Sequence, residues 1–182
     1  MNMPETTDTS VGPPPEAVTR SNPIASLAAF VANASIGEKA ALARLDPDEM
    51  LPHQMAVLSR GLIAAGLNPE TWHPQSWARW ALIAHGMALA GHDGKGRLGE
   101  QMARAGVSES RVTRLLTARG EAFRQIVPRL LRLMASQGVA PNWHDLGPLI
   151  LKEEPPDFLD DAEALRLRIA GHYFSAAARA AA

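Results

Sequence analysis

Apolar residues recur at spacings of three and four along most of this chain, and they rarely alternate one by one with polar residues. That period marks helices that bury a single stripe. It is cleanest in a helix predicted over Glu121–Gln137. At about 100° per residue, Phe123, Ile126, Val127, Leu130, Leu133 and Met134 cluster on one face. Glu121, Arg124, Gln125, Arg129, Arg132 and Ser136 take the other. Pro128 removes one backbone donor and crowds the preceding turn. The period continues across it, so a kink is expected rather than a break.

The other elements follow from the same pattern and its punctuation. Ser21 or Asn22 can cap a first helix that has Pro23 in its first turn and carries Ile24, Leu27, Phe30 and Val31. A short second helix, GEKAALARL, runs from Gly37 to Leu45 and carries Lys39 and Arg44. A third is expected over Pro47–Ala65, ended by Gly66, and a fourth over Gln75–Leu89, with Trp77 and Trp80 as core. The glycine-rich stretch Gly91–Gly96 reads as a flexible loop and a subdomain boundary. Beyond it come a helix over Leu98–Ala105, a second capped by Ser108, and the amphipathic helix above. A short helix follows Pro141-Asn142-Trp143, and a last one covers Phe158–Ala178. The expected fold is all-α: about eight helices in two packed bundles or subdomains, residues 21–92 and 97–182. Residues 1–20, rich in proline, threonine and acids, read as a disordered tail.

Composition narrows the class. The chain has 182 residues, 46% hydrophobic and 20% charged, an ordinary soluble globular balance. Cysteine is absent, so no disulfide or thiolate chemistry is available. With no signal-like leader and no long apolar run, a cytoplasmic protein without a membrane segment is expected.

The net charge of −1 hides a strong segregation. Between Lys95 and Arg132 lie Lys95, Arg97, Arg104, Arg111, Arg114, Arg119, Arg124, Arg129 and Arg132, opposed only by Glu100, Glu109 and Glu121. Glu153, Glu154, Asp157, Asp160, Asp161 and Glu163 then form an acidic stretch. It is expected either to lie far from the basic face or to meet a basic surface on a neighbouring subunit. A basic face on buried helices points to a polyanion, and nucleic acid is the common one. Aromatic residues are few and lie mostly on apolar faces. This favours backbone contacts over base stacking.

Catalytic signatures are missing. The histidines His53, His73, His85, His92, His144 and His172 form no HExxH, and neither a P-loop nor a G-x-S-x-G occurs. No cofactor, metal or enzymatic activity is expected. Two other readings stay open. In LGEQMARAGVSESRVTRLL, a short helix, a Gly106-Val107-Ser108 turn and a second helix have the shape of a helix-turn-helix. Glu109, Ser110, Arg111, Thr113 and Arg114 would then face a major groove. A pure protein scaffold is the other.

Several segments together resemble the CasB family, the small subunit of the type I-E CRISPR surveillance complex, Cascade. The resemblance rests on Leu98-Gly99 followed by Met102-Ala103, Ser110-Arg111 with Leu115-Leu116, Leu130 with Arg132-Leu133, and Trp143-His144 with Leu146. Gly37–Leu45 is similar to the family's N-terminal basic signature, and His172-Tyr173-Phe174 sits where a pair of aromatic residues is usual. It covers about residues 35–175 and implies a non-enzymatic, all-helical subunit. Two copies would lie beside the guide RNA, contact other Cascade subunits, and help hold target and displaced DNA strands. Lys39, Arg44, Arg111 and Arg132 match family basic positions. Arg119, Arg124 and Arg129 join them by helical face, and Lys95, Arg97, Arg104 and Arg114 by the basic stretch.

Overall fold

Asn22 starts the first helix as expected: its Oδ1 accepts the Ile24 N–H at 3.0 Å, and Pro23 takes the first helical position. The computed structural model describes residues 22–181, so the tail expected over 1–20 lies outside the described residues. Nine α-helices and two short 3-10 turns, with no strand, make up the described residues. These are α1 (Pro23–Asn33), α2 (Ile36–Ala43), α3 (Pro52–Ala64), α4 (Pro74–Ala90), α5 (Leu98–Arg104), α6 (Glu109–Thr117), α7 (Gly120–Ser136), α8 (Trp143–Lys152) and α9 (Leu159–Ala181). The all-α class and the helix number expected from the sequence are as observed. No helix among the described residues is long and apolar enough to cross a membrane.

Most boundaries fall within two residues of expectation. The start of α3 does not. The Asp48 N–H bonds Asp46 Oδ1 in a local turn, and Gln54 Oε1 accepts the Leu51 N–H at 3.0 Å, so the helix begins only at Pro52. Of the leucines, methionine and isoleucine at positions 51–63, Leu58 and Leu62 are buried, while Leu51, Met55 and Ile63 face water. The Ser108 hydroxyl does not cap α6; it lies 3.2 Å from the Ser110 hydroxyl. α2 has an unexpected capping box. Glu38 accepts the Ser35 N–H and the Ser35 hydroxyl accepts the Glu38 N–H, which secures two otherwise orphaned donors.

α4 is the structural centre. Ala81 to Ala84 and Met87 are all buried, because α4 packs on α1 and α2 and also on α7 and α8. Close approach depends on Gly86, where a Cβ would lie 2.4 Å from the Trp143 ring and 2.6 Å from Leu131. Gly99 on α5 plays the same part against α9, whose backbone at Ile169 and Tyr173 a Cβ would strike. The 91–96 loop is pinned. Trp143 Nε1 donates to the Gly91 carbonyl at 2.7 Å, Asn142 Nδ2 to Gly96, and Gln101 Nε2 to Asp93. Buried side chains from both sides of this loop join one hydrophobic cluster.

α7 runs unbroken through Pro128, and its buried face is rotated from the expected one. Phe123, Val127, Leu130, Leu131 and Met134 are buried, whereas Ile126 and Leu133 are only half-buried. On α9, Tyr173 is buried and its hydroxyl donates to the Val107 carbonyl at 2.6 Å. Leu167 and Phe174 instead point outward, with Leu167 73% exposed.

Candidate nucleic-acid interface

The eleven basic residues singled out in the sequence fall into three groups. The first lies between α6, α7 and the end of α2. Arg111 and Arg114 on α6 and Arg129 on α7 rim a groove of about 270 Å³ floored by Ile126, Leu130 and Leu133. Arg129 also borders a second hollow, of about 480 Å³, together with Arg44, Arg124 and Arg132. One arginine is thus common to both hollows, and Arg44, Arg111, Arg114, Arg129 and Arg132 form a linked set. Each is exposed. Among the described residues, no carboxylate lies within 4.0 Å of any of these five. The wider hollow is not purely basic: Asp46, Asp48 and Glu121 also line it.

The helix periods explain the first group. Arg111 and Arg114 are three apart on α6, as Arg129 and Arg132 are on α7, so each pair shares a face. Val112 and Leu115 anchor α6 inward, and Val127, Leu130 and Leu131 anchor α7, leaving the arginines outside. Arg44 arrives separately, as the residue that ends α2. Below the wider hollow sits His85, 5% exposed, its Nδ1 3.1 Å from the Leu42 carbonyl. Burial holds its pKa below the usual 6.5, and nearby Arg132 pushes the same way; the Leu42 bond and Asp46 push back.

The second group is already paired. Arg124 is ion-paired with Glu154, which also lies 3.6 Å from Arg79. Arg119 binds Glu163 and donates to the Leu116 and Ala118 carbonyls, each at 2.9 Å. The acidic stretch therefore folds onto this chain's own arginines, contrary to the expectation that it lies far away or on a neighbour. The reason is local: α8 ends beside the start of α7, where Glu153 Oε1 accepts the Gly120 N–H at 2.6 Å.

The third group lies elsewhere. Lys39 donates to the Ala32 carbonyl at 2.7 Å, beside an alanine-lined hollow between α1 and α4. Arg97 is 2.8 Å from His172 Nε2 on α9. Arg104 lies 3.8 Å from Asp93, whose carboxyl is held below its ordinary range chiefly by the Lys95 N–H. None of Lys39, Lys95, Arg97 and Arg104 borders the two hollows.

Sequence reasoning missed three features: the apolar floor of the narrow groove, the Arg79–Glu154 contact, and a buried Arg166 on α9. The Glu153-Glu154 pair before two prolines was the available signal, because a turn there throws the carboxylates back onto the bundle. Among the described residues, no three His, Asp or Glu side chains gather as a metal site. His92 and His144 pack edge to face at 5.1 Å between centroids, and His92 accepts the Trp143 N–H at 3.3 Å.

Chemically, the linked arginines offer rigid, permanently charged forks suited to phosphate oxygens. No curated protein and no solved structure was found to match the chain. The family model for CRISPR-associated protein Cse2 matches residues 38–174. This span covers α3 through α8 whole, most of α2 and α9, and all eleven basic positions. The chain therefore belongs to the Cse2 family, the CasB small subunit of the type I-E CRISPR complex Cascade.

Proposed function

We propose that this Cascade subunit is non-catalytic and binds sugar–phosphate backbones, steadying the guide RNA, the target strand and the displaced strand of an R-loop. The observation that carries this is Arg129. It joins Arg111 and Arg114 to Arg44 and Arg132 in one exposed set whose guanidinium groups are not ion-paired, running past two hollows. In guide-directed recognition, base pairing reads sequence and the protein holds backbones, so arginines without base-edge geometry suffice. Arg119 and Arg124 are a reserve, occupied by carboxylates in the free chain. Lys39, Lys95, Arg97 and Arg104 would serve other strands or stretches of the same path. The helices before the 91–96 loop bring Arg44 and those after it bring the remaining four.

The protein-facing side is assigned to α9. Ala164, Leu167, Gly171, Phe174 and Ala178 alternate at spacings of three and four, and all are exposed. Such a narrow apolar seam fits a helix of another Cascade subunit.

A helix-turn-helix regulator is the weaker reading. The α5–turn–α6 unit forms, but Arg111 and Arg114 rim a groove against α7, and the family is that of a Cascade subunit.

The test is charge reversal of Arg111, Arg129 and Arg132 together. The expected result is loss of single-strand binding and a destabilised R-loop, with circular dichroism and incorporation into the complex unchanged. Micromolar binding to the unaltered chain should fall steeply with salt. Unchanged R-loop stability after reversal would defeat the proposal. Loss of incorporation alone would favour a scaffold.

A further inference from the structure

The narrow groove between α6 and α7 differs in chemistry from the open hollow beside it. Its floor is Ile126, Leu130 and Leu133, and only arginines, Arg111, Arg114 and Arg129, complete the lining. A phosphate alone gains nothing from an aliphatic floor. A ligand that gains from both carries an apolar part attached to an anion, and a nucleotide has that chemistry.

We propose that this groove holds a nucleobase swung out from a bound single strand, with the neighbouring phosphates on the rim arginines. This rests on the backbone-binding reading above and adds a base-dependent contact to it. Two observations and one property of arginine support it. At about 270 Å³ the groove is smaller than the ~300–1,000 Å³ typical of drug-sized ligands. This suits a fragment such as one base rather than a folded peptide segment. Arg129 borders both hollows, so a strand lying along Arg44 and Arg132 passes the mouth of the groove. Guanidinium planes can stack on bases as well as pair with phosphates, so arginine can serve both halves of a nucleotide.

The half-buried state of Ile126 and Leu133 also needs an account. Their periodicity belongs to the core face of α7, yet the buried face is turned toward Leu131, leaving them half-open to the groove. An acidic peptide with one apolar side chain is the competing occupant. It would need its own carboxylates to meet three arginines around so small a floor. A nucleotide brings one base and flanking charges in a fixed connection.

The experiment compares two probes of equal length and charge on the full-length chain: a 12-nucleotide oligothymidylate and the same strand carrying abasic spacers throughout. Tighter binding of the base-bearing strand, by about tenfold, is expected. Ile126→Ser and Leu133→Ser, made separately, should remove that preference while leaving the salt dependence unchanged. Equal affinity of the two strands, with a steep salt dependence retained, overturns the base contact and leaves the backbone reading standing. Displacement of both strands by a phenylalanine-bearing oligoglutamate, with no base preference, assigns the groove to a protein and also overturns it. Absence of any salt-dependent binding of either strand would remove the backbone reading, and this inference with it.

Discussion

Arg166 and Glu153 face each other at 3.7 Å in the interior, each with a side chain only 3% exposed. Arg166 Nη1 also donates to Glu163 at 2.8 Å, and its guanidinium lies 6.0 Å from the centre of the Phe123 ring. Burial lowers the Arg166 pKa, with Arg119 pushing the same way and the two glutamates opposing. Glu153 additionally accepts the first N–H of α7, so one carboxylate ties α7 to α9 at the end of α8.

Removing one partner of a buried pair leaves the other uncompensated, which costs about 3–5 kcal/mol. Glu153→Ala is therefore expected to lower the urea midpoint severely. Glu163→Ala removes a half-exposed partner and should cost about 1 kcal/mol or less. Similar losses in the two variants would show that the buried pair is not the tie.

Glu154 and Glu163 occupy Arg124 and Arg119 much as phosphates would. Neutralising them as Glu154→Gln and Glu163→Gln should strengthen strand binding. Each freed arginine that reaches a phosphate steepens the slope of log affinity against log salt by about 0.7 on a single strand. Fluorescence titrations at three salt concentrations measure this directly. An unchanged slope would confine Arg119 and Arg124 to a structural role.

The two ends of glycine behaviour make a paired prediction. Gly86→Ala forces a methyl against Trp143, which is fully buried, and against Leu131. Overpacking of this kind costs about 1–3 kcal/mol, and the crowding here puts it at the upper end or beyond. Gly37 in α2 has nothing within 4 Å of a would-be Cβ. There Gly37→Ala should stabilise by about 0.4–1 kcal/mol, because the unfolded chain loses freedom. Thermal melts of the two variants should move in opposite directions.

Much of this was legible in the sequence because helices announce themselves by period. The cap at Asn22 and the stop at Gly66 then marked two of the ends. The start of α3 was not legible, because Asp46 and Gln54 decide it through local side-chain bonds rather than apolar spacing. The choice between Leu131 and Leu133 on α7 was also hidden. Both are leucines near the edge of one stripe, and only the position of α4, set by Gly86 against Trp143, selects between them. Charge was read well as a total and poorly as a distribution. Spacing places Arg119, Arg124, Arg129 and Arg132 on one helix and its approach, but cannot show that the turn after α8 returns two carboxylates to the first two.

His85 supplies the last prediction, because it lies between the core and the proposed strand path. Its folded pKa is below 6.5, first through burial, so the fold favours the neutral ring. The unfolded chain takes up the proton near its ordinary value. Stability from this group is therefore complete above about pH 6.5 and is lost as pH falls from there toward the folded pKa. His92, lowered by burial and by His144, acts in the same direction. Urea midpoints should drop between pH 7.5 and 5.5, and less so in His85→Gln. Arg132 is one cause of the lowered value, opposed by Asp46, while Arg44, Asp48, Glu121, Arg124 and Arg129 line the same hollow. Arg132→Ala should thus raise the His85 titration midpoint, read by NMR from the ring protons. A phosphate seated on Arg132 should raise it too, since it cancels the same positive charge. If oligothymidylate binds at saturating concentration and the midpoint stays fixed while Arg132→Ala moves it, the strand does not run over Arg132.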